Sequence, residues 1–117
     1  MLAANFDITL DRAADYSFVL TIENQAGSAV NLTDATFYAD IREISSKKEV
    51  LDLTPVITGN LPLNGQVTIA LTKAQTKTLK AGSGIYEWDI FMVRSEVATR
   101  LLYGSVTVRP QITNDTF

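Results

Sequence analysis

Several stretches of this sequence alternate between apolar side chains and other residues. In one of them, Val67, Ile69 and Leu71 are separated by Thr68 and Ala70. Successive side chains of a β-strand point to opposite faces, so a period of two places one apolar row on one face of each strand. The pattern predicts antiparallel sheets with one buried side each. It leaves no room for the crossover helices of a parallel α/β fold.

The alternating stretches and the turn residues between them predict about seven strands. These strands lie at about 4–10, 15–23, 35–44, 48–54, 66–71, 84–94 and 99–109. The first is the weakest, with Phe6, Ile8 and Leu10 on one face. The inward rows of the other strands predict a core that consists of Phe18, Leu20, Ile22, Phe37, Ile41, Val67, Ile69, Leu71, Tyr86, Trp88, Ile90, Val106 and Val108.

One segment, residues 72–79, does not alternate. Thr72 and Gln75 have the spacing of a capping box, and Gly82 follows as a stop signal, so we predict one short helical turn that is capped by Thr72. Tyr86 comes just after this turn, where a tyrosine can brace the corner of a sandwich by a hydrogen bond to the backbone upstream. Gly104 interrupts an apolar row, which indicates either room for Trp88 or a bulge.

Short strands separated by turn signals are typical of an immunoglobulin-like antiparallel β-sandwich, which is the all-β fold predicted here. A β-barrel is the nearest alternative. The 117 residues are enough for one core, so a single domain is expected over 1–117, with a polar C-terminal tail at about 110–117.

The composition argues against most catalytic chemistry. The chain contains no His and no Cys, so the common catalytic triads and thiolate metal sites cannot form. Carboxylate pairs such as Glu87 and Asp89 are interpreted as solvated residues of an outer face. No dense oxygen cluster of the calcium-loop type is present, so we predict no enzyme activity, no catalytic residue, no cofactor and no metal.

Charge and hydropathy restrict the partners in the same way. The net charge of −3 repels phosphate, so nucleic-acid binding is not expected. No stretch approaches the roughly 20 apolar residues of a membrane span, and the first ten residues have no basic segment of a secretory signal.

A contact surface is predicted on the outward rows of the strands at 84–94 and 99–109. Exposed aromatic and aliphatic side chains on adjacent strands are typical of protein interfaces. The strand at 99–109 also carries few charges and is interpreted as a sheet edge that is open to a partner. The candidate interface residues are Tyr38, Phe91, Val93, Leu101 and Tyr103, together with Ile112 and Phe117 in the tail.

The order of these parts resembles a group of small bacteriophage and prophage tail-associated proteins with an immunoglobulin-like sandwich. The resemblance lies in "NLTDATFYADIR" at Asn31–Arg42, "LTKAQTKTLKAGSGIYEWDI" at Leu71–Ile90 and "GSVTVRP" at Gly104–Pro110, and it extends over nearly the whole chain. These proteins are similar to the N-terminal domains of baseplate upper proteins. Ala14-Asp15 departs from the expected Gly-Asp turn.

The resemblance implies a non-enzymatic structural component of a virion, made in the host cytoplasm and incorporated into the particle. We expect a tail, baseplate or fibre-attachment protein that contacts other virion proteins in a symmetric, multicopy assembly. Two alternatives stay open: a capsid-decorating or neck protein, and a carbohydrate-binding module that uses Tyr38, Phe91 and Tyr103.

Overall fold

A computed structural model describes residues 3–113 of the chain, and these residues form two β-sheets that pack face to face. The strands are β1 (Ala4–Asn5), β2 (Ile8–Asp11), β3 (Tyr16–Thr21), β4 (Thr36–Glu43), β5 (Glu49–Asp52), β6 (Val56–Ile57), β7 (Gln66–Leu71), β8 (Gly82–Arg94) and β9 (Val97–Arg109). One α-helical turn, α1 (Lys73–Thr76), and two 3₁₀ turns at Thr58–Asn60 and Pro62–Asn64 complete the regular structure.

The larger sheet has the order β1-β9-β8-β4-β5, and β2 also pairs with β9. The smaller sheet has the order β3-β7-β6. All pairs are antiparallel except those of β1 and β2 with β9, which are parallel. This arrangement is an all-β, immunoglobulin-like sandwich, as the alternation predicted.

The core fills the space between the two sheets. Every predicted core residue is buried except Phe18 and Leu20, which are partly buried on β3 and pack against the core. The core also contains buried residues outside the predicted set, which are Ile8, Leu10, Ala13, Leu32, Ala39, Leu53 and Leu101.

The N-terminal segment is fixed to β9 by a contact that needs a glycine. The indole N–H of Trp88 donates to the carbonyl oxygen of Phe6 at 2.8 Å. Trp88 is paired with Gly104, and a β-carbon on Gly104 would lie 2.3 Å from that same oxygen. The backbone N–H of Ser105 donates to the Asp7 carboxylate at 3.0 Å, which lowers the Asp7 pKa. Gly104 therefore makes room for the Phe6–Asp7 backbone.

The same contact divides the predicted first strand in two. Phe6 and Asp7 lie between β1 and β2, where the Phe6 N–H still donates to the Tyr103 carbonyl oxygen at 2.8 Å. Phe6 is 41% exposed, while Ile8 and Leu10 are buried. The Phe6 ring still stacks on Phe18 of the smaller sheet, with ring centroids 5.3 Å apart. The two-residue strand β6 lies between the predicted strands at 48–54 and 66–71 and was not predicted.

The predicted helical turn and its cap are both confirmed, although α1 is shorter than 72–79. The backbone N–H of Gln75 donates to the Thr72 hydroxyl, and the Thr72 backbone N–H donates to the Gln75 side chain, which forms a capping box. The chain then reaches Tyr86, whose hydroxyl accepts a hydrogen bond from the backbone N–H of Lys80 at 2.9 Å. This is the corner contact that was predicted for Tyr86.

The prediction that Leu101 lies on the outer face is wrong. Ile90 pairs with Leu102, but the next residue, Phe91, pairs with Arg100, so Leu101 is an extra residue in β9. Such a bulge reverses the alternation of the strand beyond it. Leu101 therefore turns inward and is only 6% exposed.

The prediction that the strand at 99–109 is an open edge is also wrong. β9 pairs with β8 on one side and with β1 and β2 on the other, so both of its edges are occupied over most of its length. Among residues 3–113, the ends of the two sheets are formed by other strands, namely β1 with β2, β5, β3 and β6.

We expect Gly104→Ala to lower the free energy of unfolding by about 1–3 kcal/mol, because the added methyl group would overlap backbone atoms that have little freedom to move. Chemical denaturation measures the loss, and the fluorescence of the single Trp88 reports whether the bond to Phe6 is retained. The control Thr107→Ala, on the same strand, should cost less than about 1 kcal/mol. Equal losses for the two variants would contradict this role for Gly104.

We expect Tyr86→Phe to cost about 1–3 kcal/mol of stability, because the Lys80 N–H loses its acceptor in a partly buried corner. Tyr38→Phe removes the same hydroxyl from an exposed side chain and should change stability by less than about 0.5 kcal/mol. Thermal and chemical unfolding of the two variants provide the comparison. A Tyr86→Phe variant as stable as Tyr38→Phe would show that the hydroxyl does not stabilise the corner.

Candidate functional site

The outer face of the larger sheet carries three of the predicted interface residues side by side. Tyr38 on β4 is directly opposite Phe91 on β8, and Val93 lies two residues further along β8. Tyr38 is 59% exposed, while Phe91 and Val93 are half-buried. Their strands alternate with buried residues on the inner face, which fixes the outward direction of these side chains. We call Tyr38, Phe91 and Val93 the aromatic patch.

A row of carboxylates crosses the same face beside the aromatic patch. Asp40 on β4 is directly opposite Asp52 on β5 and directly opposite Asp89 on β8. Like charges in directly opposed positions destabilise a sheet. We call Asp52, Asp40 and Asp89 the acidic row, and its cost has to be offset by nearby cations or by a partner.

Arginine and lysine side chains offset part of this charge. Arg42 contacts Asp40 and Arg100 contacts Asp89, each with a nitrogen–oxygen distance of 3.3 Å. Lys47 pairs with Glu87 at 3.1 Å. These pairs are solvent-exposed or half-exposed, so each contributes at most about 1 kcal/mol. They neutralise charge locally and give the face an alternating pattern of both signs.

Two carboxyl groups on this face retain protons more readily than usual. Burial raises the pKa of Asp89, with a further contribution from Asp40, while Arg100 acts in the opposite direction. A hydrogen bond with Asp40, together with repulsion by it, raises the pKa of Glu49. The face is therefore an environment that disfavours further negative charge.

Carboxylate oxygens of Asp40, Glu49 and Asp52 lie within 4.8 Å of one another. Exposed acidic groups often converge in this way without an ion, and the hydrogen bond between Glu49 and Asp40 already uses part of the cluster. We assign no metal to it.

A shallow groove of about 460 Å³ lies beside the acidic row. Tyr103 and Asp89, opposite each other on β9 and β8, form part of its wall. The guanidinium group of Arg100 lies 4.8 Å from the centre of the Tyr103 ring, so it covers one face of that ring. Tyr103 is exposed as predicted, but Arg100 leaves at most one ring face for a ligand.

The predicted interface residues thus lie in different parts of the molecule. Tyr38, Phe91, Val93 and Tyr103 share the outer face of the larger sheet, whereas Leu101 belongs to the core. Ile112 is fully exposed beyond the end of β9. Phe117 lies outside the described residues. The sequence analysis missed the acidic row, because its members are neighbours only through the pairing register of three strands.

Comparisons with known proteins identify similar folds at low sequence identity. No family model matches this sequence, and no curated protein matches it. Among solved structures, the chain is similar to the insect immune protein hemolin, with 12% identity, a TM-score of 0.47 and coverage of 96% of this chain and 27% of that one.

Two further structures are similar to a comparable degree. One is a chain in the crystal structure of ICOS in complex with ICOS-L and an anti-ICOS-L VNAR domain, at 13% identity and a TM-score of 0.47, covering 92% of this chain and 55% of that one. The other is CopC from Methylosinus trichosporium OB3b, at 16% identity and a TM-score of 0.43, covering 91% and 90%. Separately, within residues 3–113 we find no helix with the length and apolar character to span a membrane.

We expect Asp89→Asn to stabilise the protein more at about pH 7 than at about pH 4. The raised pKa of Asp89 means that the folded state holds this proton more tightly than the unfolded chain, so the Asp89 contribution to stability falls as the pH rises through this range. Thermal unfolding at both pH values measures the difference between variant and wild type. The control Glu96→Gln removes the same charge from the exposed turn between β8 and β9, so an effect shared by both variants reflects net charge alone. A gain in stability for Asp89→Asn that is larger at pH 4 would contradict the predicted direction of the pH dependence.

Proposed function

We propose that this protein is a non-enzymatic structural component of a bacteriophage virion that acts through protein–protein contacts. The proposed location is the tail, the baseplate or the point of fibre attachment, after synthesis in the host cytoplasm. The proposed partners are other virion proteins in a symmetric, multicopy assembly. The resemblance of three long motifs to phage tail-associated sandwich proteins supports this proposal. The aromatic patch is the structural observation that carries it.

The aromatic patch has the properties of a contact surface. Tyr38 and Phe91 are aromatic side chains held on two paired strands of a rigid sheet, so a partner would bind them at a low cost in conformational entropy. Aromatic residues are enriched among the side chains that dominate binding energy. Val93 extends the apolar area toward the end of β8 that leads to β9.

The acidic row gives this surface a preference for one kind of partner. Asp40 stands between Asp52 and Asp89, and a basic side chain from a partner would relieve the repulsion in the row. The partner that fits this face is therefore a protein surface with an apolar centre and Lys or Arg at its border. Such a contact can be weak in one copy and become strong by repetition around a symmetric particle.

We expect Phe91→Asp to reduce incorporation of the chain into the particle by about tenfold or more, because it places a charge inside the apolar contact. The matched control is Leu63→Asp, which changes a side chain that is 68% exposed in the loop before β7. Quantitative mass spectrometry of purified particles measures both. Normal incorporation of Phe91→Asp would show that the aromatic patch is not the contact surface.

Two further observations test the proposed class of protein and its location in the particle. The identities of the neighbouring genes test the class, since a tail operon supports the proposal and a metabolic operon contradicts it. Fractionation of particles into tails and heads then distinguishes a tail or baseplate protein from the alternative of a capsid-decorating or neck protein.

A carbohydrate-binding module is the second candidate, and one observation favours it. Tyr38, Phe91 and Tyr103 lie on one face, next to a groove with polar side chains that could bond sugar hydroxyls. Arg100 covers one face of the Tyr103 ring, which reduces the stacking surface. Titration with a panel of glycans, followed by amide chemical shifts of β4, β8 and β9, tests this function. Shifts confined to these strands would support it.

A further inference from the structure

The edge of β3 is the one long strand edge, within residues 3–113, that lacks any protection against pairing. β3 is the end strand of the smaller sheet and pairs only with β7. From Tyr16 to Ile22 the sequence contains no charge and no proline. Val19, in the middle, is 49% exposed. Natural sheets normally protect such edges by charges, prolines, bulges or short strands.

The other edge strands have this protection. β5 carries Glu49 and Asp52, and β6 is only two residues long and follows Pro55. The edge formed by β1 and β2 is interrupted at Phe6–Asp7. This contrast within one molecule indicates that β3 is the edge at which a further strand can pair.

The backbone groups of β3 that face outward follow from its register. The Ile22 N–H donates to the Gly65 carbonyl at 2.7 Å, and Thr21 is the partner of Gln66 in the ladder. Residues in an antiparallel pair turn their backbone groups alternately toward and away from the partner strand. Ser17, Val19 and Thr21 therefore direct their N–H and C=O groups to the open edge, where the described part of the chain supplies no strand.

We propose that this edge binds the same edge of a second copy of the chain, in an antiparallel pair centred on Val19. This register places Ser17 opposite Thr21 of the other copy and Val19 opposite its own equivalent. It forms about six backbone hydrogen bonds. Hydroxyl pairs and β-branched pairs in opposed positions are favourable in sheets. The sequence of the edge is thus complementary to itself under a two-fold rotation.

The side chains on the inner face of β3 also support a second copy of the chain as the partner. Phe18 and Leu20 are the two predicted core residues that remain partly exposed, and both lie on β3. In the proposed register, Phe18 of one copy lies opposite Leu20 of the other, so the pairing buries both further. It joins two three-stranded sheets into one six-stranded sheet.

The charges at the two ends of the β3 edge determine how the dimer responds to salt. Asp15 and Glu23 bound the uncharged stretch, and in this register Asp15 of one copy lies near Glu23 of the other. Asp15 is already held by the backbone N–H of Lys73 at 2.7 Å. Repulsion between the Asp15 carboxylate of one copy and the Glu23 carboxylate of the other predicts that added salt strengthens the dimer. A foreign strand with basic ends would instead be released by salt.

The proposal does not rest on the virion role, since it concerns the smaller sheet alone. Sedimentation velocity of the purified full chain over a range of concentrations measures the equilibrium between monomer and dimer. We expect a weak dimer, with a dissociation constant of about 10 μM to 1 mM, because a single strand pair buries less than the roughly 1,600 Å² of a standard interface. Added salt should lower this constant.

Val19→Lys should raise the dissociation constant at least tenfold, because it places two ammonium groups together at the two-fold axis. The matched control Ala70→Lys adds the same charge to the same exposed side of the central strand β7 and should leave the constant within about twofold. Phe91→Asp should also leave it unchanged, which separates this contact from the outer face of the larger sheet. Trp88 fluorescence confirms folding of each variant, and Thr21→Lys replaces Val19→Lys where the latter is unfolded.

Amide hydrogen exchange gives the independent readout. The amides of Ser17, Val19 and Thr21 should exchange more slowly as the protein concentration rises, while those of Phe18 and Leu20 are protected at every concentration. Three results overturn the proposal: a chain that stays monomeric over the whole range, a dimer that Val19→Lys does not weaken, or a dimer that salt dissociates.

Discussion

The hydrogen bond between the Trp88 indole and the Phe6 carbonyl decides where the N-terminal segment lies. In a sandwich of this kind, that segment can pair with the end strand of either sheet. Here the bond and the space above Gly104 hold Phe6–Asp7 over β9, so β1 and β2 extend the larger sheet. Trp88 sits in the core, and moving the segment would leave its N–H unsatisfied at a cost of about 1–3 kcal/mol.

Much of the fold could be predicted because local signals agreed with the global structure. The predicted 66–71 is identical to β7, and the capping box at Thr72 and the corner bond of Tyr86 formed as their sequence contexts indicated. The break between β1 and β2 could not be predicted in the same way. It depends on an approach of Phe6 to Gly104, nearly a hundred residues later, whereas the sequence analysis attributed this glycine to room for Trp88 or to a bulge.

The candidate site shows where the alternation of residues stops being informative. The alternation identified Tyr38 and Phe91 as outward-facing residues, since buried and less buried residues alternate regularly around both on β4 and β8. It failed at Leu101 because one extra residue in β9 reverses the faces, and no residue near the bulge announces it. The acidic row could not be predicted from the sequence for a different reason. Asp52, Asp40 and Asp89 belong to three strands, so only the pairing register brings their charges together.

The two proposed surfaces are linked through the position of the N-terminal segment. Because Phe6–Asp7 is held over Gly104, β1 and β2 cover the edge of β9, and the uncharged edge of β3 is left without a strand beside it. The outer face of the larger sheet presents Phe91 and Tyr103 on the adjacent strands β8 and β9. The aromatic patch and the β3 edge then lie on different sheets. One chain can therefore contact a second copy through one sheet and a different protein through the other, which is the geometry that a repeating assembly needs.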